Sequence, residues 1–135
     1  MTRLENWPSR LAQVIEAASG RPFSWGDADC YCLAGDAVRA VTGEDPMAPH
    51  RGRYRTRQGA LARLKRHGFS DLAGFWDGQF PRQPSVLAAR RGDLAQLPGG
   101  AMGVVDLTGE RVVGISEGGA VCLPLSSAEI VWKVG

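Results

Sequence analysis

The chain has no long apolar run. Nothing in it approaches the roughly 18 consecutive apolar residues that a membrane-spanning helix needs, so we expect no membrane partner. The opening MTRLENWPSR lacks the apolar stretch of a secretory signal. Cysteine is scarce, with only Cys30, Cys32 and Cys122. An odd count, with two of the three almost adjacent, makes a poor disulfide framework. Free thiols and synthesis in a reducing cytoplasm are the expectation. Histidine is scarcer still: His50 and His67 are the only candidates for an imidazole base. Acidic residues are absent from Met47 to Ser70, a stretch that holds Arg51, Arg53, Arg55, Arg57, Arg63, Lys65 and Arg66. Internal repeats and low-complexity segments are also missing.

What is present fits one compact domain over residues 1–135. The chain is 44% hydrophobic and 22% charged, an ordinary globular composition. A net charge of only +2 excludes a polyanion binder acting through the charge of the whole molecule.

Leu4, Trp7, Leu11, Val14, Ile15 and Ala18 recur at spacings of three and four, which predicts a helix ending near Gly20. Asp29 is placed to cap a second helix over about Cys30 to Val41, and Thr42-Gly43 to end it. Thr56 caps a third over Arg57 to Arg66, and a helical turn follows around Asp71 to Trp76. The last third changes character. Leu94–Leu97, Ala101–Asp106, Arg111–Ser116, Ala120–Leu123 and Ile130–Val134 are short apolar or alternating runs separated by Gly and Ser pairs. That spacing predicts an antiparallel meander. Helices first and strands second imply an α+β fold with the helices on one side of the sheet.

Cys30 carries the most chemistry. In the first turn of a helix, the amide dipoles favour a thiolate, which lowers the thiol pKa and makes a nucleophile. The alternative is a small buried hydrophobe.

The surrounding residues resemble a known family. Phe23-Ser24-Trp25-Gly26-Asp27-Ala28-Asp29-Cys30 is similar to the nucleophile region of NlpC/P60 papain-like peptidases, where Trp-Gly precedes an Asp-Cys that opens a helix. Arg91-Gly92-Asp93-Leu94 looks like the Gly-Asp-Leu that starts the family's first sheet strand. Within that superfamily the chain resembles short prophage and gene-transfer-agent proteins. The shared features are the WG-x-x-DC segment, the loop Arg51-Gly52-Arg53-Tyr54-Arg55-Thr56 and the tail Ile130-Val131-Trp132-Lys133-Val134. The resemblance implies a papain-like fold, with N-terminal helices packed on the meander and Cys30 in the nucleophile position.

The family's base is a histidine opening the strand after Gly-Asp-Leu. Here that strand reads Ala101-Met102-Gly103-Val104-Val105, with Ala101 in the histidine's place. A slipped match to Val112-Val113-Gly114-Ile115 has no histidine either. His50 and His67 read as solvated surface residues. Loss of general acid–base help removes about 10²–10⁴-fold in rate.

Other constellations are weaker. Cys30 and Cys32 point to different faces of a helix, and C-x-C is not zinc spacing, so no metal or cofactor is expected. Cys32 and Cys122 read as core. Arg51, Arg53, Tyr54, Arg55 and Arg57 either dock an acidic partner surface or form a solvated loop paired to Asp27, Asp29, Asp36 or Glu44. No nucleic-acid module fits the pattern.

Two functions follow from the resemblance and the missing base. The first is a structural or assembly protein of a phage or gene-transfer-agent tail or baseplate, with other tail proteins as partners. It would be made in the cytoplasm and carried in the particle. The second is an active cysteine peptidase or amidase that cleaves peptidoglycan stem peptides through Cys30.

Overall fold

The computed structural model describes residues 1–135. Four α-helices come first: α1 (Trp7–Gly20), α2 (Cys30–Thr42), α3 (Arg57–Arg66) and α4 (Leu72–Asp77). Five strands follow: β1 (Leu94–Gln96), β2 (Met102–Val105), β3 (Arg111–Ser116), β4 (Gly119–Pro124) and β5 (Ile130–Trp132). The fold is α+β, in the order that the apolar patterns imply. No helix is long and apolar enough to cross a membrane.

Local chemistry sets the helix ends. The Asp29 carboxylate accepts the Cys32 amide at 2.8 Å and opens α2. Gly43 closes α2 at φ +86°, a left-handed conformation that suits glycine. Thr56 takes the Gly59 amide at 2.9 Å, and Asp71 takes the Gly74 amide at 2.7 Å. Leu4 lies outside α1, because its amide donates to the Val41 carbonyl at 2.7 Å and ties it to the end of α2. Pro8 then stands in the first turn of α1, where a missing amide hydrogen does no harm.

The sheet order is β4-β3-β2-β1-β5, with every neighbouring pair antiparallel. The first four strands form the expected meander. The fifth departs from it. β5 crosses the sheet and pairs with β1, setting Trp132 opposite Leu94. Burial explains the crossover. Beside the largely exposed β4, an apolar β5 would lie at the wet margin. Beside β1, Trp132 and Val134 become fully buried. Residues 81–83 then cover the outer edge of β5, with Gln83 N–H to Val131 O at 2.7 Å and Lys133 N–H to Pro81 O at 2.9 Å.

The pleat sorts the strand residues onto two faces. Leu94, Val104 and Trp132 face the larger core with Leu11, Val38 and Val41. Ala95, Val112 and Val131 face a smaller cluster with Leu97 and Ala128. α2 lies across β2 and β3, and α1 packs against α2. Burying each such Leu or Val contributes about 1.5–3 kcal/mol, which seats the start of α2 firmly on the sheet.

Asp93, next to β1, is fully buried. Its Oδ1 accepts Arg3 at 3.0 Å and the Val134 amide at 3.1 Å. Its Oδ2 accepts Gln83 and the Arg90 amide, both at 2.9 Å. One carboxylate thus joins both ends of the chain to the sheet. Cys32 is buried, but Cys122 is exposed, contrary to the core role expected of it. Cys122 lies on the edge strand β4, most of whose residues are exposed.

Candidate functional site

Asp29 organises the region around Cys30. It is fully buried and immediately precedes the cysteine. Besides capping α2, its Oδ2 accepts the Gly26 amide at 2.8 Å and the Tyr54 hydroxyl at 2.7 Å. Gly26 sits at φ +86°, and a Cβ there would lie 2.3 Å from the Tyr54 carbonyl oxygen. Only glycine allows the Trp-Gly turn to lie against the arginine loop, and the Gly52 amide seals that contact on the Gly26 carbonyl at 2.8 Å. The Trp-Gly segment, the Asp-Cys helix start and the Arg-Gly-Arg-Tyr-Arg loop are therefore one hydrogen-bonded unit.

Cys30 opens onto a cleft of about 200 Å³ lined by Phe23, Trp25, Tyr31, Arg57, Ala101 and Glu117. Phe23 and Trp25 meet edge to face with ring centroids 4.9 Å apart, and Trp25 lies 6.2 Å from Tyr31. Ala101, the position that the resemblance would give to a histidine, lines the same cleft as Cys30.

The thiol does not behave as its helix position predicts. Burial pushes its pKa up to about 11, and the Asp29 charge adds to the rise. The Met102 backbone amide and Arg57 pull the other way and do not prevail. The physical reason is a matter of size. A helix terminus is worth about 0.3–1 kcal/mol, while a thiolate 7% exposed loses most of its hydration. At neutral pH such a thiol keeps its proton.

Neither histidine lines the cleft. His50, expected on the surface, is buried. Its Nδ1 accepts Arg63 Nε at 2.9 Å, and its ring packs edge to face on His67 and Phe75 at 5.0 and 5.6 Å. Burial, then the Arg63 and His67 charges, lower its pKa. Arg63 also binds the Pro49 carbonyl at 2.7 Å, so this pair latches residues 49–50 to α3. His67 is exposed, as expected.

The arginine loop divides into two sets. Arg51 is not free for a partner: it pairs with Asp36 at 2.7 Å and Asp45 at 2.8 Å. Gly35 makes room for this, since a Cβ there would come within 2.9 Å of both Arg51 and Asp45. Tyr54 is also withdrawn from any partner, buried on Asp29, and burial and that carboxylate hold its phenol far above its ordinary pKa. Arg53, Arg55 and Arg57 remain exposed.

Sequence reasoning did not bring Phe23, Tyr31, Ser116 or Glu117 to the cleft. Tyr31 follows Cys30 directly, and Phe23 and Trp25 alternate before it, which was the one available signal. Ser116 and Glu117 arrive through sheet pairing, which leaves no local trace. A larger cleft of about 360 Å³ lies between α1 and α2, lined by Arg10, Arg21, Asp36 and Arg39 among others. Asp29 and Asp36 line it, but no Cys, Ser, Thr, Lys or His side chain does, so the thiol belongs to the smaller cleft alone. No three His, Cys, Asp or Glu side chains converge to hold a metal ion.

A family model described as "Domain of unknown function (DUF6950)" matches residues 2–134. No curated protein and no solved structure matches the chain.

Proposed function

We propose that this chain, which belongs to the DUF6950 family, is a catalytically retired papain-like domain. In this reading it acts as a structural or assembly component of a phage or gene-transfer-agent tail or baseplate. One observation carries it: the Cys30 cleft contains Ala101 and no imidazole, around a thiol held protonated by burial. Amide hydrolysis needs a thiolate to attack and an acid to protonate the leaving amine. The cleft holds its thiol protonated at neutral pH and contains no imidazole to pass a proton between thiol and leaving amine. Of its other polar groups, Arg57 gives up no proton in this range, and burial pushes the Tyr31 phenol up to about 12, which makes it a weak proton donor. The NlpC/P60-like segments and the hydrogen-bonded unit around Asp29 support a scaffold kept for its shape.

A second reading is an active peptidase or amidase on peptidoglycan, with a base from another chain. The openness of the cleft beside Cys30 favours it, because an imidazole from outside could enter.

Purified chain and its Cys30→Ser variant, incubated with peptidoglycan, separate the two. The retired-site reading expects no released stem peptides from either. Release by the wild type alone establishes the peptidase. Mass spectrometry of purified particles tests the assembly role, and particles that never contain or require the chain remove it.

A further inference from the structure

We infer that the exposed arginines of the Arg53–Arg57 loop, with the aromatic Cys30 cleft beside them, dock an extended acidic segment of a partner protein. This deepens the assembly reading above by naming the partner's chemistry, and it rests on that reading.

The first observation is a contrast among arginines. Arg3 is held by Asp93, Arg10 by the Ala40 carbonyl, Arg51 by Asp36 and Asp45, and Arg82 by Asp77. Arg53, Arg55 and Arg57 are exposed, and none makes an ion pair or a side-chain hydrogen bond; Arg39, Arg66 and Arg111 are exposed and unpaired as well, but they lie scattered, while these three fall within five residues. No carboxylate is available nearby in sequence, since Met47 to Ser70 contains none.

The second observation is that their backbone is fixed. Tyr54, between two of them, is anchored on Asp29 at 2.7 Å. Gly52 is anchored on Gly26, Arg51 on two carboxylates, and Thr56 caps α3. Cations presented on an ordered backbone lose less freedom on binding.

The third is continuity with a cleft. Arg57 lines it together with Phe23, Trp25 and Tyr31. Carboxylates on Arg53 and Arg55 would steer and orient the partner, and an apolar side chain among the aromatics would anchor it. Glu117 in the same lining repels a carboxylate and a phosphate alike; the small net charge of +2 and the aromatic wall favour a short acidic segment with an apolar anchor over a polyphosphate backbone. An acidic peptide fits better than a nucleic acid.

The test is an NMR titration of the ¹⁵N-labelled full chain with a hexaglutamate peptide ending in phenylalanine, at low ionic strength. Shift changes are expected at residues 53–57 and in the Phe23–Tyr31 cleft wall, and they should weaken with added salt. Arg53→Gln/Arg55→Gln/Arg57→Gln should weaken binding by about tenfold or more. Arg39→Gln/Arg111→Gln, at exposed arginines elsewhere, should leave it unchanged. Absent or scattered shifts, or equal loss in both variants, overturn the proposal. So does an oligothymidylate of equal charge that binds more tightly at the same residues. The titration is repeated on Cys30→Ala, so a peptidase result in the peptidoglycan assay does not change its outcome. Particles lacking the chain remove the assembly reading alone.

Discussion

Replacing Asp29 by alanine is the sharpest test of how this site is built. The carboxylate accepts three buried hydrogen bonds: Cys32 N–H at 2.8 Å, Gly26 N–H at 2.8 Å and Tyr54 O–H at 2.7 Å. A hydrogen bond to a charged group contributes about 1.5–3 kcal/mol, and a lost helix cap alone costs about 1 kcal/mol. The three bonds share one acceptor, so their losses do not add fully. We expect Asp29→Ala to lose about 3–5 kcal/mol, at the upper end for single substitutions. Total stabilities are about 5–15 kcal/mol, so much of the folded state's margin disappears. At roughly 3–4 °C per kcal/mol for a chain of this length, Tm falls by about 10–20 °C. Tyr54→Phe removes one of the three donors and should lose about 1.5–3 kcal/mol. Because the two residues share a bond, the double variant should lose less than the sum, with a coupling of about 1.5–3 kcal/mol. Urea unfolding followed by tryptophan fluorescence and far-ultraviolet circular dichroism reads all four states of the cycle. A loss below about 1 kcal/mol for Asp29→Ala, or strict additivity, would show that Asp29 is only a replaceable cap.

Three further outcomes are expected. The pKa of His50 is lowered from 6.5 in the folded chain, so the unfolded chain takes the proton more readily. Its contribution to stability is full above pH 6.5 and is lost as the pH falls through the folded pKa; His50→Gln should flatten the pH dependence in that window, and an unchanged slope would refute the latch. Ellman's reagent at neutral pH should react quickly with Cys122 only, leaving Cys30 and Cys32, whose thiols burial pushes up to about 11 and about 12, until the chain unfolds; rapid labelling of Cys30 in Cys122→Ser would contradict the protonated thiol. Gly26 and Gly52 both have positive φ, but only Gly26 meets a backbone atom within 3 Å of a built Cβ. Gly26→Ala should therefore destabilise by more than about 2 kcal/mol and Gly52→Ala by about 1 kcal/mol in the same urea assay.

Much of the scaffold was legible because its signals are local. Asp29 before Cys30, Thr56 before Arg57 and glycine at position 43 mark helix ends through contacts a few residues long. The alternation of β3, Arg111 to Ser116, needs only the period of a strand.

The remaining features depend on contacts between distant residues. Nothing near Ile130 says that β5 lies beside β1 rather than β4; the choice depends on whether Trp132 and Val134 can be buried there. Nothing near His50 says that Arg63 and Phe75 will enclose it. Arg51 and Arg53 look alike in a loop, yet Asp36 and Asp45 fold in to claim one and leave the other exposed. The thiol of Cys30 shows the same division. Its place at a helix start was set by the sequence alone, and that place favours ionisation. Its degree of burial was set by the sheet packed over it, and desolvation in the assembled fold outweighs the helix terminus.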